Sequence, residues 1–97
     1  MKRRETTCPV TKTAELLSDS WTMLIIRALL SGPKGFCELE RNLDGISTRT
    51  LTLKLKNLQS EDIIFKTDNG QYETTEKGAG LKIVERAMRK YGMQFLS

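Results

Sequence analysis

The sequence predicts a mainly α domain with one small β-hairpin, an α+β chain. Three observations lead there. Apolar residues recur at helical spacing through most of the chain, and a single pair of short β-type runs flanks Asn69-Gly70. In addition, no acidic residue occurs from Ser47 to Ser60, although the chain holds 12 Asp and Glu elsewhere. With 97 residues the chain is read as one domain over 8–97 preceded by a flexible basic tail over 1–7.

The first helix is expected over Thr6 to Ser18, with Pro9 suited to its first turn and Val10, Ala14 and Leu17 recurring at i, i+4 and i+7. Asp19-Ser20 then signals a helix start before Trp21-Thr22-Met23-Leu24-Ile25-Ile26-Arg27-Ala28-Leu29-Leu30. That run is apolar on most sides, so it belongs in the core, and Ser31-Gly32-Pro33 ends it. Trp21, Leu24, Ile25 and Phe36 are read as core residues rather than as a ligand pocket. A short helix follows over Phe36 to Leu43, and Asp44-Gly45 breaks the chain before Ser47 caps the acid-free helix. Two short helices around a glycine-containing turn make a helix-turn-helix pattern.

Ile63 to Asp68 and Gln71 to Thr74 are expected to pair through a two-residue type I′ turn at Asn69-Gly70. A hairpin directly after a basic second helix is a wing, so the architecture predicted is a winged helix-turn-helix. One last helix is expected from Glu76, with Leu81, Val84, Met88, Tyr91 and Phe95 as an apolar stripe and Lys82, Arg86, Arg89 and Lys90 opposite. That stripe exceeds what a small core can cover. Together with Val10 and Ala14 of the first helix it is the candidate dimer interface, intramolecular packing being the alternative.

Composition narrows function. The formal charge is +4 and the calculated pI about 9.3, a balance that favours a polyanionic partner. There is no histidine and there are only two cysteines, which removes the commonest general base and makes a closed zinc site improbable. No glycine-rich phosphate loop or apolar carboxylate cluster is present, so neither an enzyme nor a metal or cofactor is expected. Lys2-Arg3-Arg4 is followed by Glu5-Thr6-Thr7 rather than an apolar segment, and no apolar run approaches a membrane span of roughly 20 residues. A cytoplasmic protein with reduced thiols is the expectation.

On the acid-free helix, Leu51, Leu55 and Leu58 define the buried stripe, which turns Arg49, Thr52, Leu53, Lys56 and Asn57 outward. With Ser47 and Thr48 at the helix start, these are the candidate contacts to double-stranded DNA. Arg49 is the candidate base reader, because a guanidinium pairs bidentately with guanine. Leu53 either meets a thymine methyl or packs. Lys34, Lys54 and Lys66 are phosphate partners or solvated bystanders. Cys8, ahead of Pro9 at a helix start and after a basic tail, is a candidate redox sensor, with a small apolar side chain as the plain alternative. Cys37, at another helix start, is the lesser candidate.

Cys8-Pro9-Val10, Trp21 with the apolar run after it, Gly32-Pro33-Lys34, Phe36-Cys37-Glu38-Leu39, Gly45-Ile46-Ser47, Arg49, Leu51-Thr52, Leu55, Leu58 and Thr75-Glu76-Lys77-Gly78 occur in an order that resembles HxlR-type transcriptional regulators. The resemblance spans roughly residues 8 to 95. It implies a homodimeric winged-helix protein on a pseudo-palindromic operator, with the cysteine of the Cys-Pro-Val segment sensing oxidants or electrophiles in several members. The chain departs from the family at Ser18-Asp19-Ser20, where a glycine-rich turn and a lysine are usual. It departs again in its short wing, at Leu53 where a polar residue is frequent, and at Cys37 where a capping residue is commoner. The alternative function is a protein or RNA interaction module without operator binding. The effector is not readable.

Overall fold

A computed structural model of the protein describes residues 7–97. The tail over 1–6, with the basic residues placed ahead of Cys8, lies outside the described residues. Helix α1 (Pro9–Leu16) is shorter than expected: Cys8 stands at its N-cap, Pro9 follows, and Leu17 leaves helical geometry while its N–H still reaches the Thr13 carbonyl at 3.0 Å. Helix α2 (Ser20–Leu30) starts where Asp19 predicts it, since the Asp19 carboxylate accepts the Thr22 N–H at 2.8 Å. Helix α3 (Phe36–Asn42) and helix α4 (Thr48–Ser60) flank a turn in which Gly45 takes a φ of 88°, open to glycine at little cost.

The core is built around α2. Met23, Ile25, Ile26 and Leu29 of α2 meet Leu39 and Leu43, the Leu51, Leu55 and Leu58 stripe of α4, and Ile63, Ile64, Tyr72 and Leu81. Ile25 is fully buried, while Trp21, Leu24 and Phe36 pack partly exposed against this cluster. Helix α4 ends in a feature absent from the sequence reading. The Ile63 N–H reaches the Leu58 carbonyl at 2.9 Å, the Asp62 N–H reaches Gln59 at 3.0 Å, and Asp62 itself adopts a φ of 61°. This is a Schellman cap with aspartate where glycine is usual.

Strands β1 (Ile64–Lys66) and β2 (Tyr72–Thr74) pair antiparallel with Ile64 opposite Thr74 and Lys66 opposite Tyr72. The expected type I′ turn is not formed. That turn needs positive φ at both Asn69 and Gly70 and only Gly70 has it, at 83°. The tip instead closes through Thr67: its carbonyl accepts the Gly70 N–H at 3.0 Å and its N–H reaches Gln71 at 2.7 Å. A two-residue turn would slip the register by one and put Ile64 and Tyr72 on opposite faces, yet both are buried. Lys34 adds a third, single-residue rung, exchanging both backbone hydrogen bonds with Tyr72 at 3.0 and 2.7 Å.

The last helix is two helices. Helix α5 (Glu76–Ala79) is capped by Thr75, and helix α6 (Lys82–Phe95) follows after a break at Gly80-Leu81. Gly78 lies against the Ile63 backbone so closely that a Cβ would fall 2.0 Å from the Ile63 oxygen, and Leu81 plugs into the core at 8% exposure. These two anchors pin α5 to the base of the wing, and the chain must turn before α6 departs.

Candidate nucleic-acid interface

Helix α4 is held at its start, along its buried side and at its end. Ser47 Oγ accepts the Thr50 N–H at 3.0 Å and donates to Thr50 Oγ1 at 2.9 Å. Leu51, Leu55 and Leu58 are fully buried, and the Schellman cap closes the helix. What remains outside is the predicted surface: Arg49, Leu53, Lys56 and Asn57 are exposed and Thr52 is half-buried. Leu53 is 55% exposed, so its packing alternative fails within this chain.

Not every predicted contact is equally available. The Ser47 hydroxyl is occupied as a cap, and Thr52 Oγ1 donates back to the Thr48 carbonyl at 2.8 Å, leaving its methyl and lone pairs for a partner. Thr48 Oγ1 donates to Glu40 Oε2 at 2.6 Å. Glu40 of α3 therefore brings a carboxylate to the first turn of a helix that has none of its own, where it complements the helix dipole. Sequence reading missed it because the contact crosses the turn.

Lys54 is no bystander. Its Nζ stands 2.8 Å from Asp19 Oδ2, tying the middle of α4 to the residue that caps α2. Burial works to raise the Asp19 pKa, but the Lys54 hydrogen bond, the Thr22 N–H and hydroxyl, and the Lys54 charge outweigh it, and the carboxyl is held below its ordinary value. Lys66 is exposed on β1 with its ammonium 5.7 Å from the Tyr72 ring centroid. Lys34 donates to Ser31 Oγ at 2.9 Å and lines a cavity with Arg27 and Arg89, apart from the α4 set.

The apolar residues expected at an interface are mostly outside. Val10 is 77% exposed, Ala14 is exposed, and Met88, Tyr91 and Phe95 are all more than half exposed on α6. Ile83, Met93 and Leu96 are also exposed, with Met93 lying beside Arg86, Arg89 and Lys90 on the other side of α6. Leu81 departs from the set, since it is spent in the protomer's own core, and Val84 is half-buried against that core. The Tyr91 and Phe95 rings pack with centroids 5.0 Å apart and planes tilted by 41°.

Cys8 and Cys37 are both exposed, and neither forms a disulfide among the described residues. Hydrogen bonds from the Thr11 side chain and backbone and from the Val10 backbone hold the Cys8 pKa below its ordinary value, burial opposing only weakly. Among the described residues no cluster of three or more His, Cys, Asp or Glu is placed to hold a metal, and no helix is long and apolar enough to cross a membrane.

A capped helix with a buried leucine face and a basic outer face, preceded by a shorter helix and followed by a hairpin, defines a winged helix-turn-helix DNA-binding domain. Residues 16–97 match the HxlR-like helix-turn-helix family. The chain belongs to that family and is a transcriptional regulator of its kind. It is similar to the regulator YodB of Bacillus subtilis, at 34% identity over 97 residues covering 93% of this chain and 87% of YodB. A helix-turn-helix regulator of Synechocystis is 33% identical over 95 residues, covering 92% of this chain and 70% of that one. Among solved structures, quinone-bound YodB superposes with a TM-score of 0.82 at 35% identity, covering 91% of this chain and all of that one (100%). The redox regulator HypR in its reduced form gives 0.79 at 26% identity, covering 90% and 92%.

Proposed function

We propose that the chain is a homodimeric operator-binding regulator in which α4 reads the major groove and Cys8 reports oxidants or electrophiles. The observation that carries this reading is the outer face of α4, where Arg49, Leu53, Lys56 and Asn57 stand exposed on a helix fixed by both caps and its leucine stripe. Arg49 reads base edges, Leu53 offers an apolar contact to a thymine methyl, and Lys56 meets a phosphate. Lys66 on the wing adds a second cation for the backbone.

Dimerisation through Val10 and Ala14 of α1 and Val84, Met88, Tyr91 and Phe95 of α6 accounts for apolar surface that a monomer would leave in water. A two-fold pair then sets the reading helices about 34–36 Å apart on a pseudo-palindromic operator, where it represses by occluding polymerase or activates. A cytoplasmic location is consistent with work on DNA. The lowered Cys8 pKa supports thiolate chemistry beside the first helix of the interface, and a relative solved with a bound quinone supports an electrophile as the signal.

Selection of bound fragments from genomic DNA, followed by competition between the selected duplex and RNA of the same sequence, tests this function. Enrichment of a palindromic site that RNA fails to displace is expected. Equal competition by RNA, or no enrichment, replaces the operator reading with an interaction module.

A further inference from the structure

We propose that the cleft between α2 and α6 binds a small amphipathic carboxylate. Helix α2 is the apolar centre of the core and carries one charge, Arg27, between Ile26 and Ala28. Neither core packing nor DNA contact uses it. Arg27 is exposed and makes no ion pair or hydrogen bond among the described residues.

Two adjoining cavities explain where it stands. One, of about 210 Å³, is walled by Met23, Leu24 and Met88 together with Arg27, Glu85 and Arg89. The other, of about 520 Å³, shares the same two arginines and adds the polar Ser31, Lys34 and Asn42 beside Ala28 and Leu43. The arginines thus stand where an apolar end meets a polar end. Of the charges lining the pair, Arg27, Lys34 and Arg89 are positive and Glu85 alone is negative. Glu85 engages Arg89 at 2.6 Å, which leaves the cleft with an uncompensated excess of cation.

That combination selects a ligand class. A carboxylate accepts from the planar guanidinium of Arg27, and from Arg89, in charge-assisted hydrogen bonds that a neutral head cannot match. An apolar body of modest size fits against Met23, Leu24 and Met88, the last shared with the edge of the proposed dimer surface, and methionine adapts its shape to irregular surfaces. The site owes nothing to α4, so its presence is independent of how DNA is read.

The test titrates the full chain with phenylacetate, its neutral amide phenylacetamide, and inorganic phosphate as a head without a body, followed by methionine-methyl NMR and calorimetry. Phenylacetate is expected to saturate one site per protomer and to shift the Met23 and Met88 methyls, with Met93 unmoved. Losing a charge-assisted contact should weaken binding by about tenfold or more, both for phenylacetamide and for Arg27→Gln or Arg89→Gln with phenylacetate. Phosphate should bind more weakly than phenylacetate. No saturable phenylacetate binding up to about 10 mM overturns the proposal. So do equal affinities for acid and amide, and so does an Arg27→Gln chain that remains folded and binds as wild type.

Discussion

Lys54 and Lys56 lie two residues apart on α4 with the same charge, and replacing each by alanine separates a DNA contact from a structural tie. Lys56 is exposed on the reading face, whereas the Lys54 ammonium is held 2.8 Å from Asp19. If Lys56 neutralises one phosphate in each half-site, its loss makes the slope of log affinity against log salt shallower by about 0.9 per half-site, or about 1.8 for the dimer. Between roughly 50 and 200 mM salt, the wild type should then lose about 12-fold more affinity than Lys56→Ala. Lys54→Ala should keep the wild-type slope and reduce folding stability by no more than about 1 kcal/mol, because both partners of this pair are partly in water. Fluorescence anisotropy on an operator duplex across the salt series measures the slopes, and urea denaturation measures the stability. A Lys54→Ala slope as shallow as that of Lys56→Ala would refute the structural role, and an unchanged Lys56→Ala slope would remove Lys56 from the phosphate.

Gly78→Ala places a Cβ 2.0 Å from the Ile63 carbonyl oxygen, which also accepts the Thr75 N–H at 3.0 Å. Backbone meets backbone there, so the loss should be about 2–4 kcal/mol, visible as a fall in Tm of at least about 10 °C; a loss under about 0.5 kcal/mol would contradict the close packing. The Asp19 carboxyl has a folded pKa below its unfolded value, near 3.9, so its contribution is complete above about pH 4 and is lost as pH falls through the folded value. Asparagine retains the cap, so wild type should exceed Asp19→Asn by about 0.5–1 kcal/mol at neutral pH and converge with it in acid; a gap that persists in acid speaks against the Lys54 pairing. Mild oxidant or a quinone should weaken operator binding by wild type and by Cys37→Ser but not by Cys8→Ser, and a Cys8→Ser chain that responds fully would move the sensor to Cys37.

Local signals carried far in this chain. Asp19 and Ser47 cap the helices they precede, and the leucines at i, i+4 and i+7 of α4 are its buried face, because capping and periodicity depend on neighbours along the chain. The errors arose where distant residues decide. Asn69-Gly70 favours one turn, but burial of Ile64 and Tyr72 on a common face imposes another register. Gly78-Ala79-Gly80 was an available sign that the terminal helix breaks, yet the reason for the break is the approach of Gly78 to Ile63 and the burial of Leu81. The Lys54–Asp19 pair, the Glu40 carboxylate at Thr48 and the Lys34 rung on Tyr72 all join residues from different elements. No periodicity reports such contacts.

The central claim is that α4 reads base sequence, and Arg49→Ala tests it most directly. Affinities of wild type and variant are measured at one salt concentration on a duplex selected from genomic DNA and on a scrambled duplex of equal length. Loss of a bidentate base contact should cost about 1–3 kcal/mol per half-site, so about 2–6 kcal/mol for the dimer on the selected duplex, roughly 30-fold or more, with the scrambled duplex nearly unaffected. Equal losses on both duplexes would contradict the account, because they would make Arg49 a phosphate contact and leave α4 without its reader.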